Sequence, residues 1–372
     1  MDRNILLKEL LKSIKKYKVH GLNINLVDRD KETEIIINWI CREVPWNYVV
    51  YGPWGCGKTE FARSLVSSLR EIKDIVATYV DLAQTELDRA LISKPEVKDR
   101  IIEVVKEVIG GLSKLPLKVW TLLSEIHKMY KLIGKYLVIV IDEVTTSLEK
   151  HEVSIRDYVA TLDKAIHEWK EEFDLKNIVI VLFTSELTML QHFKREVGKS
   201  LAIYEMWNLP KRDFKELLER VDCPIKYDML WKLSGGNPRV IYELKVFYNW
   251  NVSLWLEKLI TQCWFLYVTV RRDEKLLHYF EGLLENVNNV IPVPLTVELR
   301  RQIRESQLTY ELLKQNMIVP LEPRHLRMTL VEEYEWVGEE WAWQIPAYYH
   351  VFKTIVSAKE KPKPDDVIKH LN

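Results

Sequence analysis

Eight consecutive residues, Gly52-Pro53-Trp54-Gly55-Cys56-Gly57-Lys58-Thr59, hold the most specific chemistry in this 372-residue chain. Glycine, four residues, then Gly-Lys-Thr is the phosphate-loop pattern. Its glycines let the backbone curl until successive amide hydrogens face one anion, and a following helix adds its positive N-terminal end. Lys58 is expected to reach the β- and γ-phosphates of a nucleotide, the Thr59 hydroxyl to ligate Mg2+, and Glu60 to lie beside them. A tight turn with an exposed lysine is the competing reading. Such a loop needs an acidic partner on a neighbouring buried strand, and Leu137-Val138-Ile139-Val140-Ile141-Asp142-Glu143 supplies one. Asp142 is expected to hold the Mg2+ shell and Glu143 to polarise an attacking water in hydrolysis. Thr184 and Ser185 end another apolar run. Orienting that water, sensing the γ-phosphate and plainly ending a strand are readings left open for both.

These residues require strands that end side by side. Tyr48–Tyr51, Ile75–Val80, Tyr136–Ile141 and Ile178–Phe183 are apolar runs without alternation, and Glu60–Leu69 and Ile155–Phe173 carry helical spacing between them. That combination predicts parallel strands covered on both faces, a doubly wound α/β domain reaching about Met206. Val97–Ile109 and Trp120–Tyr130 also have helical spacing, separated by Gly110, Gly111 and Pro116. From Pro210 the strand signals vanish, and Phe214, Leu217 and Leu218 begin a helical region to about Trp250, read as a small lid. Helical patterns at Glu274–Leu284, Val297–Ile303 and Leu308–Asn316, then strand-like Ile318–Leu321 and Trp341–Ile345, suggest a winged helix. The expected division is an N-terminal amphipathic helix over 1–22, the α/β domain over 23–206, the lid over 207–250, the winged helix over 251–358, and a loosely held tail over 359–372.

Composition narrows the classes. Lysine plus arginine and aspartate plus glutamate both total 54, so no whole-molecule charge draws the chain to a polyanion. Five of its 12 glycines fall in the phosphate loop and in Gly235-Gly236, which marks both stretches for attention. The four cysteines are widely spaced and form no metal or redox pair, pointing to a reducing, cytoplasmic setting. No apolar run approaches the roughly 18 residues of a membrane span, so no membrane partner is expected. His-Glu-x-x-His, Gly-x-Ser-x-Gly and dinucleotide-binding patterns are absent from the sequence.

On these residues the chain resembles P-loop ATPases of the AAA+ and STAND classes, especially the archaeal ATPase family, from about Leu26 to Ile345. Leu26-Val27-Asp28-Arg29-Asp30-Lys31-Glu32 is similar to the family's element of two apolar residues followed by Gly-Arg-Glu-x-Glu, with Val27 and Arg29 as nucleotide-site candidates. Asp28 stands where that pattern has glycine. Ser234-Gly235-Gly236-Asn237-Pro238-Arg239 is similar to the Gly-Gly-Asn-Pro-Arg element opening the family's lid helix. The resemblance implies that Pro238 borders the nucleotide and Arg239 acts as a second sensor of the γ-phosphate. It also implies an ASCE-type sheet, ATP or ADP with Mg2+, and a C-terminal winged helix. Lys194 and Arg195 fall where related ring ATPases place an arginine finger, a solvated helix end being the alternative.

The function expected from this resemblance is a Mg2+-dependent ATPase acting as a STAND-like conformational switch through its lid and winged helix, with a protein partner. One alternative is a DNA remodeller or loader related to origin-recognition or transposition-regulating ATPases, and another is a nucleotide-stabilised scaffold with negligible turnover. A nucleotide-dependent homo-oligomer accompanies the remodeller reading. Arg300, Arg301, Arg304 and Lys314 offer phosphate contacts, but Glu298, Glu305 and Glu311 nearly balance them. Glu332, Glu333, Glu335, Glu339 and Glu340 crowd the expected wing and oppose a polyanion. Trp336, Trp341 and Trp343 among these acids fit either a protein-binding surface or a packed core.

Overall fold

The computed structural model describes residues 2–81, 91–92, 132–145, 148, 154–198, 201–294 and 302–371. The helices expected at Val97–Ile109 and Trp120–Tyr130, most of the one at Val297–Ile303, and Arg300 and Arg301 lie outside them. The described chain separates into two units. The first comprises Met1–Val19, Asp28–Tyr51 and Lys58–Met206, and the second His20–Val27, Gly52–Gly57 and Trp207–Asn372.

Strands of the first unit are β1 (Trp46–Tyr51), β2 (Ile75–Asp81), β3 (Leu91–Ile92), β4 (Tyr136–Asp142), β5 (Asn177–Thr184) and β6 (Leu201–Glu205). They form one sheet in the order β3-β2-β4-β5-β1-β6. All neighbours pair in parallel except β3, which runs antiparallel to β2. Asn47 to Tyr51 of β1 are all buried although successive side chains point to opposite faces, so the sheet is covered on both sides. Helices α1 (Arg3–Ile14), α2 (Asp30–Cys41), α3 (Lys58–Leu69) and α4 (Ile155–Glu172) accompany it. Trp39 of α2 stacks on Tyr48 with centroids 3.8 Å apart. Asn177 donates to the Trp39 and Ile40 carbonyls, capping that helix end with the start of β5. In α1, Leu6, Leu10 and Ile14 are buried, and Asp2 accepts from the Asn4 and Ile5 amides as its N-cap. The register brings the carboxyl ends of the strands level, with Tyr51 beside Thr184 and Asp81 beside Asp142. Short α5 (Leu190–Lys194) follows β5.

The second unit holds α6 (Lys211–Arg220), α7 (Tyr227–Ser234), α8 (Pro238–Val246), α9 (Val252–Val270), α10 (Glu274–Glu285) and α11 (Arg304–Lys314). An antiparallel pair, β7 (Ile318–Pro320) with β8 (Trp341–Trp343), precedes α12 (Pro346–Ala358) and α13 (Pro364–His370). The segment read as a loose tail is a correction: Val367 and Leu371 are 0% and 5% exposed, and α13 packs on α9 and α12. Each buried aliphatic side chain of that kind contributes about 1.5–3 kcal/mol, enough to hold a two-turn helix in place. Pro364 begins this helix at a position where its missing amide hydrogen costs nothing. Trp336, Trp341 and Trp343 are 7%, 9% and 1% exposed, so these rings pack the unit and the reading of a tryptophan-lined contact surface falls.

Candidate functional site

Each unit carries one polar constellation built on the singled-out motifs. In the first, α3 begins at Lys58, which is buried, and the Thr59 hydroxyl donates to Asp142 Oδ2 at 2.7 Å. The Tyr79 hydroxyl donates to the same oxygen at 3.0 Å, and the Glu143 amide to Asp142 Oδ1 at 3.1 Å. Asp142 is 1% exposed at the end of β4. Burial pushes its carboxyl up to about 6, while the Thr59 and Tyr79 hydrogen bonds pull the other way. Arg63 of α3 donates to Tyr79 Oη and Asp81 Oδ2, both at 3.3 Å, extending the network to the end of β2.

Glu143, directly after β4, takes φ +52°, a left-handed turn that redirects its side chain from the strand. Its Oε1 accepts from the Ser185 hydroxyl at 2.7 Å. Thr184 is fully buried, shares a 2.8 Å contact with the Thr145 hydroxyl, and accepts from the Glu186 amide. Of the two candidates at the end of β5, therefore, Ser185 reaches the acidic pair and Thr184 is engaged within the core. Glu60 interacts with Tyr17, whose phenol is raised by burial first and by the Glu60 charge second.

Arg29 lies in the same unit, 2% exposed, with its guanidinium 2.7 Å from Glu32 Oε1. Asp28 and Arg29 both adopt left-handed φ values, +58° and +77°. The family pattern has glycine at the first of these positions, and aspartate is among the few residues that tolerate such a turn. Lys194 and Arg195 are exposed at the end of α5.

In the second unit, Gly52–Gly57 meets the Gly-Gly-Asn-Pro-Arg element. Asn237 caps α8 by accepting from the Arg239 amide at 3.0 Å, and Pro238 opens that helix. The Asn237 side chain donates to the Trp54 carbonyl at 3.1 Å, and the Arg239 amide to the Gly55 carbonyl at 3.2 Å. A Cβ at Gly55 would lie 2.3 Å from Arg239 Cβ, so this approach requires glycine. The Arg239 guanidinium lies 4.9 Å from the Trp54 ring centroid, and its Nε donates to Glu243 Oε1 at 3.2 Å. Glu243 also accepts from Trp255 Nε1 at 3.2 Å. Val27, in the segment before Asp28, is buried, as is Cys56.

Sequence reasoning missed Tyr79, Arg63, Gln344 and Glu243. Tyr79 and Asp81 left a faint signal, polar atoms at alternate positions of an apolar strand. Gln344 left none, since only folding brings it to the Trp54 carbonyl, 2.6 Å from its Nε2.

The oxygen donors Thr59 and Asp142 suit a hard cation such as Mg2+. Among the described residues no group of three or more His, Cys, Asp or Glu side chains could hold a metal ion. Among them, too, no helix is long and apolar enough to cross a membrane.

A family model described as an ATPase domain predominantly from Archaea matches residues 26–244. No curated protein matches the chain. Three of the solved structures that match it are as follows. The Aeropyrum pernix ORC2 protein in ADPNP-ADP complexes is 14% identical, with 91% of this chain and 98% of that chain covered and a TM-score of 0.46. AMPPCP-bound DnaA from Aquifex aeolicus is 14% identical over 78% and 95%, with a TM-score of 0.38. Drosophila ORC bound to DNA is 12% identical over 78% and 88%, with a TM-score of 0.26. At these scores the likenesses fix neither fold nor function.

Proposed function

Because the chain belongs to the family of ATPase domains found predominantly in Archaea, we propose that it binds ATP with Mg2+, hydrolyses it, and uses the cycle as a conformational switch. The observation that carries this reading is the 2.7 Å approach of the Thr59 hydroxyl to Asp142 at the carboxyl end of a parallel sheet, directly after a phosphate-loop sequence. Thr59 and Asp142 would hold Mg2+, which supplies charge neutralisation for the β- and γ-phosphates. Lys58 and the loop amides bind the phosphates, and Glu143 orients the attacking water and takes its proton. Ser185 positions Glu143 through their 2.7 Å bond, which fixes the carboxylate without removing its other oxygen. Residues 207–250, with helices α6 to α8, serve as the lid, and residues 251–358, with α9 to α12 and the β7–β8 pair, as the winged-helix domain. Arg239 senses the γ-phosphate by exchanging its Glu243 partner for the nucleotide, so hydrolysis returns it to Glu243.

The output is a protein contact. A groove of about 730 Å3 in the second unit is lined by Glu285, Glu333, Glu335 and Glu339 together with Arg324 and Arg327, so carboxylates outnumber cations there. That balance of charge opposes a phosphate backbone and supports a protein partner over DNA.

The test is steady-state ATP hydrolysis with Mg2+ by the wild type and Glu143→Gln, alongside solution scattering with ATP and with ADP. Loss of roughly 10²–10⁴-fold in turnover is expected from the substitution, with a scattering profile that depends on the nucleotide. An unchanged rate in Glu143→Gln removes the catalytic assignment, and identical profiles remove the switch. Turnover stimulated by duplex DNA with a steep salt dependence would replace the switch with a remodeller.

A further inference from the structure

Trp54 lies in the middle of the phosphate loop, and its carbonyl is gripped by two side-chain amides from distant parts of the second unit. Asn237 Nδ2 donates to it at 3.1 Å and Gln344 Nε2 at 2.6 Å. Gln344 follows β8 and is 4% exposed. Its backbone is itself fixed: the amide donates to the Met317 carbonyl at 2.9 Å, and the carbonyl accepts from Asn208 Nδ2 at 3.2 Å. Asn208 Oδ1 in turn accepts from Asn237 Nδ2 at 2.8 Å. Residues 54, 208, 237 and 344 therefore form a closed circuit of amides with the loop carbonyl as one member.

A planar trans peptide points its C=O and N–H in opposite directions. Holding the Trp54 carbonyl toward Gln344 and Asn237 consequently aims the Gly55 N–H away from them. Gly55 is free of a side chain, takes φ +81°, and could otherwise swing between wells that glycine alone visits readily. We propose that Gln344 is a positioning residue of the phosphate loop: by holding the Trp54 carbonyl it sets the direction of the Gly55 N–H for phosphate. This rests on the nucleotide reading above. It also makes the β7–β8 hairpin, through the residue after β8, an input to nucleotide affinity, and by linkage bound nucleotide stabilises the hairpin by the same factor.

The test compares the full chain carrying Gln344→Met, which keeps the volume and removes the donor, with Gln344→Glu, which keeps the shape and sets an acceptor against the carbonyl. Lys58→Ala serves as the control for nucleotide binding. Amide exchange of peptides spanning 52–57 and 252–270 is measured without nucleotide, and ATP affinity and turnover with Mg2+. Gln344→Met should speed exchange over 52–57 and leave 252–270 unchanged. It should also raise KM for ATP about fivefold, with kcat little altered, and Gln344→Glu should do more. Unaltered exchange over 52–57 overturns the proposal, as does faster exchange spread equally over 252–270, since a merely structural residue would give that pattern. If the wild type and Lys58→Ala fail alike to bind ATP while Gln344→Met still loosens 52–57, the nucleotide reading falls and the hold on the loop stands.

Discussion

The Asp142 cluster and the Trp54 circuit sit on the same motif and are built on opposite plans. Around Asp142 a single buried carboxylate collects Thr59, Tyr79 and the Glu143 amide, so one charge organises every bond. Around Trp54 neutral amides from Asn208, Asn237 and Gln344 share the work with no ion in the circuit. A buried charge concentrates energy in one group and makes its loss costly, whereas a ring of neutral hydrogen bonds spreads it in steps of about 1 kcal/mol each. The first plan suits a site that must be fixed, and the second a site whose setting can be adjusted.

The widest separation between the two should come from Asp142→Asn. It is expected to cut Mg2+-dependent turnover by roughly two to three orders of magnitude, beyond the 10–100-fold typical of outer-shell changes. A loss under tenfold in a steady-state assay would break the comparison at its stronger end.

Acid should then loosen the second unit from within. His350 of α12 is buried with Nε2 unpartnered, and burial lowers its imidazole from 6.5 to about 4, Glu335 opposing and Lys353, Lys232 and His370 assisting. The unfolded chain takes up this proton below about pH 6.5 and the folded chain only near 4, so stability falls as pH drops through that window, by about 3 kcal/mol in total. Denaturant titrations from pH 7 to pH 4 should show this slope flattened in His350→Phe. A slope that persists unchanged in the variant would assign it elsewhere.

Tyr79→Phe removes one hydroxyl from Asp142 and should weaken Mg2+-dependent nucleotide binding about tenfold. Asn208→Ala removes one member of the amide circuit and should weaken it about threefold, the smallest of these effects. Titration of both variants with the same ATP analogue sharpens the contrast. If Asn208→Ala costs more than Tyr79→Phe, the circuit is the rigid element and the carboxylate cluster the yielding one.

How much of this could be read from the residues follows the same division. Four of the parallel strands stand where apolar runs predicted, because strands buried on both faces need continuous apolar sequence. That Thr59, Asp142 and Glu143 lie together was legible, since a glycine-rich turn and a strand end fix their places. Edge strand β6 was missed because it is short and its residues alternate between buried and half-buried, unlike the continuously buried strands that the long apolar runs mark. Helix α9 was missed because its buried residues, Trp255, Leu256, Leu259, Ile260, Cys263, Tyr267 and Val270, share one face while the outer face also carries apolar residues such as Leu254 and Phe265, leaving little amphipathic contrast to detect. Pro362 and Pro364 suggested a tail, but Pro364 initiates a helix. Asn208 and Gln344 were invisible for a different reason: an amide that grips a backbone carbonyl requires no neighbouring motif, and only the folded chain selects its partner.

The strand order also governs how the chain can be made. Strand β1 emerges early, yet Tyr48 pairs with Val181 on one side and Ala202 on the other. During synthesis its apolar residues must wait for the distant β5 and β6, with both edges open to mispairing. This part of the sheet closes only after residue 202 has left the ribosome, so a stall or truncation before that point should yield an aggregation-prone fragment.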